Sequence, residues 1–540
     1  MHALFRQLTG FVFTALLFIT PLHAANNQSV GETIEQFVTS GHVNLGKDIE
    51  EQRLFQVFTF YQDRNFKPVW TRDTGVKGKG KALLRALQNA HEHGLDPAFY
   101  NTGEIAERIK SINPEVLAEL DILMSLAFSS FATDLAKGRL EPTKVNNGVH
   151  IETFSPGTVT LIDGAEEADN LGPYLDRLAS SAPRYHRLKK ALANYRAMAA
   201  KGEWPIIASG KALKPGMDDP RVPTLRKRLR ASGDLKAIDN LDIPDSTVYD
   251  DTLVAAVKAF QLRHGKADDG VIGPQTLSAL NVPLSHRIKQ MVINLERRRW
   301  MKDDLGKRYV FVNLADQVLK VVDTLETREK TVHVARVVVG KSFHKTPIFN
   351  DRMEYLVINP YWNVPTSIAN KEYLPKLRRD PGYLQRQNIR ILGSGGEVNP
   401  FSVDWNSLSR IPYRLRQDTG NKNALGRIKF IFPNPHNVYI HDTPSKSLFS
   451  RAQRYFSHGC IRVQHPIKLA TTLLKPQGWN TAKINQQIST GKRRIVTLKN
   501  KIPVHITYLT AWVNKDGQIN FRKDVYNRDK TLIKALMPGG

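Results

Sequence analysis

Hydrophobic positions along this chain keep two periods, and the change between them falls near residue 307. Before it, apolar residues recur three and four positions apart, the spacing of a single helix face. Leu54, Phe55, Phe58 and Tyr61 make one short stripe; Leu83, Leu84, Leu87 and His91 make another, which Gly94 ends. Asn113-Pro114 reads as a cap with proline at the first helical position. Leu117, Leu120, Met124, Ala127, Phe128, Phe131 and Leu135 follow it to Gly138. These are core stripes without chemistry, so residues 25–205 are expected to be an α-helical scaffold domain.

Residues 206–285 read as a smaller helical module. Leu225 and Leu229 share a face, and Asp250 or Asp251 can cap a helix that buries Leu253, Val257 and Phe260. The turn Asp269-Gly270-Val271-Ile272-Gly273-Pro274 then leads into Thr276, Leu277 and Leu280. Residues 286–306 read as a basic helical connector carrying Arg297-Arg298-Arg299-Trp300.

From residue 307 the period becomes two. Tyr309 to Leu314, Val318 to Val322, Val332 to Val339 and Met353 to Ile358 are β-rich runs. The strand signal stops after Asn359-Pro360-Tyr361-Trp362-Asn363-Val364-Pro365 and resumes at Ile428-Lys429-Phe430-Ile431-Phe432. The stretch between, about 366–425, is expected to be a helical and loop-like insertion, placed where a lid over a site would sit. Val504, Ile506 and Tyr508, then Ala511-Trp512-Val513 and Ile519, predict a closing hairpin within about 501–540. The fold class is therefore multidomain α+β, with a mostly β domain at 307–540 behind two helical ones.

Charge and the N-terminus add the setting. Arg6, the apolar run Phe11 to Ile19, Pro21 and Ala24 have the order of a secretory signal peptide over residues 1–24. The run is shorter than the roughly 20 residues of a membrane span. Export to the periplasm with no permanent membrane anchor is the expectation. The net charge of +27 calls for a polyanionic partner, and export turns that away from nucleic acid and toward an acidic wall polymer.

One cysteine occurs in 540 residues, Cys460. In an oxidising compartment it has no partner for an intrachain disulfide. It is either buried and inert or kept for its reactivity. Its context favours the second: Ser457-His458-Gly459-Cys460-Ile461-Arg462, with Tyr439, His441 and Asp442 upstream. A thiolate is the nucleophile, and a free thiol supplies only a few per cent of it at neutral pH. His441 could hold the thiolate as an ion pair and then protonate a leaving amine. The Asp442 carbonyl or side chain would orient that ring, and the Gly459 and Cys460 N–H groups are candidate oxyanion donors. His458 is expected to pack rather than transfer protons, and His436 and His465 to lie in loops or at the surface. No zinc-type spacing is present, so neither a metal nor a cofactor is expected.

The segment from His441 to Arg462 resembles the catalytic motif of the L,D-transpeptidases, the YkuD-type fold. Asn423-Ala424-Leu425-Gly426, Phe430 to Asn434 and Asn359 to Pro365 agree with it. Ala259-Phe260-Gln261 followed by Asp-Gly-x-x-Gly-Pro-x-Thr resembles the three-helix peptidoglycan-binding domain. Taken together the chain resembles the large periplasmic L,D-transpeptidases of Gram-negative bacteria. The resemblance implies Cys460 as nucleophile, His441 as proton donor and acceptor, Tyr439 and Trp362 lining the site, and Ser457, His458 and Arg462 shaping the nucleophile loop. Arg462 could bind a substrate carboxylate bidentately. The implied reaction cleaves the diaminopimelate–D-alanine bond of a tetrapeptide stem and passes the acyl group to a second diaminopimelate amine, a 3→3 cross-link. Peptidoglycan stems and glycan would be the partners, with other wall-synthesis enzymes possible, and carbapenems would acylate the thiol. An L,D-carboxypeptidase, a lipoprotein-anchoring enzyme and a catalytically silent wall-binding scaffold remain as alternatives.

Overall fold

The computed structural model describes residues 28–45, 50–236, 246–326 and 328–537. Residues 1–24, expected to be a signal peptide, lie outside the described residues. The chain divides into two compact units, Met1–Leu84 with Asn101–Ala127, and Arg85–Tyr100 with Phe128–Gly540.

The first unit is built around a buried acid. The Asp121 carboxylate accepts from the backbone N–H groups of Val69, Trp70 and Thr71, from the Thr71 hydroxyl at 2.7 Å and from the Tyr61 hydroxyl at 2.6 Å. A buried carboxylate with that many donors is satisfied rather than stranded. Asp121 belongs to the helix Pro114–Lys137, which is long and apolar enough to cross a membrane, yet most of that stretch is packed inside protein.

In the second unit the helices Val222–Ala231, Asp251–Arg263 and Pro274–Leu280 close on Leu225, Leu229, Leu253, Val257, Phe260 and Leu280. Asp250 is the cap, its side chain accepting from the Leu253 N–H at 2.9 Å. Gln261 holds the turn that follows: its amide donates to Asp269 and the Val271 carbonyl, and its oxygen accepts from the Gly270 N–H. That explains a glutamine just ahead of Asp-Gly-x-x-Gly-Pro.

The basic stretch expected as a connector is an interior helix, Leu284–Arg299. Two of its arginines find acids inside the protein: Arg299 pairs with Glu296 at 2.7 Å and Arg297 with Asp529 at 2.6 Å. Asp529 lies 232 residues away in sequence, and no local pattern announces it.

The β domain is a closed ring. Strand Ile428–Ile431 pairs with Ile440–His441, which pairs in parallel with Ile461–Val463. The ring continues antiparallel through Arg328–Gly340, Val318–Leu325 and Arg308–Asn313. Arg494–Thr507 joins in parallel, and Ile348–Ile358 returns to Ile428–Ile431. Val310, Val312, Leu319, Val321, Val337, Val339, Leu356, Phe430, Ile440 and Ile461 fill one face with a common core. Because strands alternate, the neighbours of these residues are presented on the opposite face.

The insertion is not only helix and loop. It holds its own small antiparallel sheet of Trp362–Asn363, Arg414–Gln417, Ile389–Gly393 and Gly396–Glu397. Ile389, Ile391 and Leu415 face its core with Trp405 and Leu377. These strands are short and half charged (Arg414-Leu415-Arg416-Gln417), too brief for period two to register. Asn423 joins the two stems of the insertion: its side-chain amide donates to the Pro360 carbonyl at 3.0 Å and the Asp418 carbonyl at 2.9 Å. After the hairpin Ala511–Val513 with Ile519–Phe521 comes a helix that was not expected, Arg528–Leu536, which supplies Asp529.

Candidate active site

Three neighbouring strands place one row of side chains opposite the barrel core. Lys429 is paired with His441, and His441 with Arg462. Tyr439 and Cys460 stand one step before that row, joined by the Ile461 N–H donating to the Tyr439 carbonyl at 3.0 Å. His441 is thus diagonal to Cys460 across adjacent strands, about 8 Å between Cα positions on standard strand spacing, within side-chain reach.

His441 is buried. Its Nδ1 lies 2.5 Å from the Asp442 carbonyl. A carbonyl can only accept, so Nδ1 carries the proton and Nε2 keeps its lone pair. The orienter expected at Asp442 is therefore its backbone. The carboxylate is engaged elsewhere, accepting from the N–H groups of Arg427 at 2.8 Å and Thr443 at 2.7 Å and from the Lys446 ammonium. Gly426 has φ +62, and a Cβ there would come within 2.3 Å of the Asp442 carboxyl carbon. Glycine at that position is a condition of this packing.

Cys460 is half-buried, its Sγ 3.7 Å from the Asn437 carbonyl oxygen. Burial pushes its pKa above the ordinary thiol value, while hydrogen bonds from the Tyr439 backbone and hydroxyl and the charges of Lys429 and Arg462 pull it back. The His441 ring is pushed down to about 3, chiefly by burial and then by the Arg462 charge. Both shifts oppose a thiolate–imidazolium pair. They favour a neutral thiol and a neutral imidazole over the expected ion pair. Burial of both groups among fixed cations is the reason.

The loop that carries Cys460 is pinned from beneath. Strand Tyr455–Ser457 runs parallel to the end of Arg328–Gly340. Thr346 donates to the Gly459 carbonyl at 2.8 Å, and the buried Ser457 hydroxyl donates to the Cys460 carbonyl at 2.5 Å. That hydroxyl also accepts from the Gly459 N–H at 3.1 Å. The N–H expected to serve as an oxyanion donor is therefore spent inside the loop. Among the described residues the Cys460 N–H has no hydrogen bond, and it is the donor still available. Gly459 has φ +116, a conformation that suits glycine.

The remaining expected residues divide. Tyr439 touches the thiol, and Lys429 lies 3.6 Å from its ring centroid. Arg462 pairs with no acid among the described residues, and its Nε is buried without a partner. Trp362 sits in the small sheet of the insertion opposite Gln417, its ring against Tyr373 at 6.4 Å. His458 reaches outward: Nε2 is 2.6 Å from Glu372 of the lid, and its ring meets His344. His436 stacks on His150, and His465 caps the helix Pro466–Leu474. Among the described residues no group of three His, Cys, Asp or Glu side chains could hold a metal. Sequence reasoning missed Lys429, Thr346 and Glu372. Lys429 alone could have been found, as the one charge inside the apolar run Ile428 to Phe432.

Comparison with known proteins agrees with this geometry. Residues 307–504 match the family model "L,D-transpeptidase catalytic domain", residues 218–280 "Putative peptidoglycan binding domain" and residues 56–192 "Scaffold domain". A "Putative L,D-transpeptidase" of Haemophilus influenzae is 33% identical over 253 residues, 46% of this chain and 50% of that protein. The chain thus spans about half the length of that relative. A Clostridium acetobutylicum crystal structure, titled a fused Zn-dependent amidase/peptidase and peptidoglycan-binding domain protein, covers 55% of this chain and 100% of its own. It is 14% identical with a TM-score of 0.16, too distant to carry an argument.

Proposed function

We propose that this chain, which carries an L,D-transpeptidase catalytic domain behind a scaffold domain and a peptidoglycan-binding domain, is an acyl-transfer enzyme of peptidoglycan stems acting in the periplasm through Cys460. One observation carries the reading. The chain's single cysteine stands beside Tyr439 at the rim of the barrel, one step from a row holding a neutral His441 and an unpaired Arg462.

The steps follow from that arrangement. His441 Nε2 accepts the thiol proton as Sγ attacks the carbonyl at the L-centre of diaminopimelate. The Cys460 N–H donates to the oxyanion. The carbon–nitrogen bond to D-alanine breaks, and the imidazolium returns the proton to the departing amine, leaving a thioester. The amine of a second diaminopimelate then attacks the thioester, His441 takes its proton, and the thiolate departs and is reprotonated. Arg462 neutralises a substrate carboxylate. A neutral resting pair means that the proton moves during attack, not before it.

Purified protein incubated with tetrapeptide stems and followed by mass should release D-alanine and form dimers, with both lost in Cys460→Ala. No mass change with the wild-type protein would overturn the reading. D-alanine release without dimers would make it an L,D-carboxypeptidase, and transfer to a lipoprotein lysine would make it an anchoring enzyme.

A further inference from the structure

Beside the site, a cavity of about 330 Å³ lies between the lid sheet and the barrel. Four cations line it: Arg414 and Arg416 from the lid strand, Lys429 from the barrel row and Arg493 just ahead of the long strand Arg494–Thr507. Tyr361 and Val357 add apolar wall, and no acidic side chain lines the space. Like charges gathered around one cavity repel each other unless something negative enters between them.

The cations are poorly supplied with partners. Arg416 has one weak ion pair, Nη2 to Asp418 at 3.3 Å, and Asp418 is held more closely by Arg390 at 2.6 Å. The Arg416 Nε is buried without a hydrogen bond, and its guanidinium carbon stands 4.7 Å from the Tyr361 ring centroid. Arg414 and Arg493 form no ion pair among the described residues. Lys429 rests on the Tyr439 ring with no carboxylate beside it.

Its position relative to the chemistry is informative. Lys429 is paired with His441 on the side away from Arg462, so the cavity opens on the histidine side of the nucleophile. His441 must deliver a proton to the amine that leaves and remove one from the amine that attacks. Both amines therefore occupy that side in turn. In the proposed reaction, whose reading this inference rests on, each amine sits on a carbon that also bears a carboxylate: D-alanine when it departs, the far centre of diaminopimelate when it arrives.

We infer that this cavity is the binding site for the carboxylate on the amine-bearing carbon, with Arg416 and Arg414 of the lid as its principal ligands and Lys429 at its mouth. It serves the departing and arriving groups alternately. A planar guanidinium matches a carboxylate in a paired geometry, and charge assistance strengthens the bond. The lid thus selects for a free acid at that carbon, and the two arginines are specificity-determining residues.

Binding to the inactive Cys460→Ala protein tests this without turnover. Calorimetry would compare a tetrapeptide stem bearing a free terminal carboxylate with the same stem as its carboxamide. The free acid should bind at least about 10-fold more tightly, roughly 1.4 kcal/mol. Arg414→Ala combined with Arg416→Ala should bring the two ligands within about 2-fold, while Arg416→Lys, which keeps the charge and loses the paired geometry, should keep only part of the preference. Equal binding of acid and amide to the protein with its arginines intact would overturn the inference, as would a preference that survives the double substitution. Failure of the enzymatic reading looks different: the wild-type protein would release no D-alanine, whatever the binding preference.

Discussion

Two groups of cations in this protein are handled in opposite ways. In the interior helix Leu284–Arg299, Arg297 and Arg299 each have a carboxylate within 2.7 Å, and Arg299 and Glu296 are fully enclosed. Around Cys460 and the neighbouring cavity, Arg462, Lys429 and Arg414 have none among the described residues, and Arg416 has a single long contact. The first group is neutral before any ligand arrives and belongs to the architecture. The second is incomplete until something anionic binds. Arg298 departs from the pattern within its own helix: its side chain donates to the Met301 sulfur and lines a separate cleft with Glu329 on its wall.

The largest effect should come from removing the base. His441→Ala should lower acylation by 10²- to 10⁴-fold, a usual range for a proton-transfer residue. His458→Ala, whose partner is the lid acid Glu372, should cost far less. Mass-resolved D-alanine release reads both.

The next contrast is in stability. Glu296→Gln leaves Arg299 buried without its counter-charge and should destabilise the fold by about 3–5 kcal/mol, seen as a lower urea midpoint. Arg462→Ala removes a cation with no acid partner. It should change stability by less than about 1 kcal/mol while lowering turnover at least 10-fold. Equal loss of stability in the two variants would break the comparison.

Two pH experiments follow from the shifts. Because burial raises the Cys460 pKa, iodoacetamide labelling should be slow at neutral pH and climb with a midpoint above that of an ordinary cysteine. Lys429→Gln removes one of the charges that favour the thiolate and should move that midpoint further up. The second pH experiment is acid destabilisation. His441 and His93 titrate at about 3 when folded, against 6.5 unfolded. Between those values the unfolded state binds the extra proton. Their stabilisation is complete above about 6.5 and is lost as the pH falls toward 3, by up to roughly 1.4 kcal/mol per pH unit for each ring. Urea midpoints at pH 7 and pH 4 measure it.

What could be read in advance follows physical range. Helix faces, the three-helix module, the barrel strands and the placing of Cys460 and His441 at neighbouring strands rest on local periodicity and a contiguous motif, and all are legible in the chain. The lid sheet was not, because strands of two to five residues with alternating arginines carry no clear period. The interior placement of the Arg297 to Arg299 run was hidden because one of its acids lies more than 200 residues away. The Gly459 N–H was misassigned because its fate depends on the rotamer of Ser457. The bias against an ion pair was hidden because a pKa depends on burial and on Lys429 and Arg462, which strand register brings to His441. The Asp442 carboxylate holds the Gly426–Arg427 turn and not the imidazole, a distinction set by backbone geometry.

The central claim is covalent and is open to direct observation. Wild-type protein quenched during incubation with a tetrapeptide stem should carry an adduct on Cys460 equal to the stem minus D-alanine, by intact mass and peptide mapping. The adduct should disappear on adding acceptor stem and be absent from Cys460→Ala. D-alanine released at the wild-type rate by Cys460→Ala, or an adduct mapped to any other residue, would contradict the account.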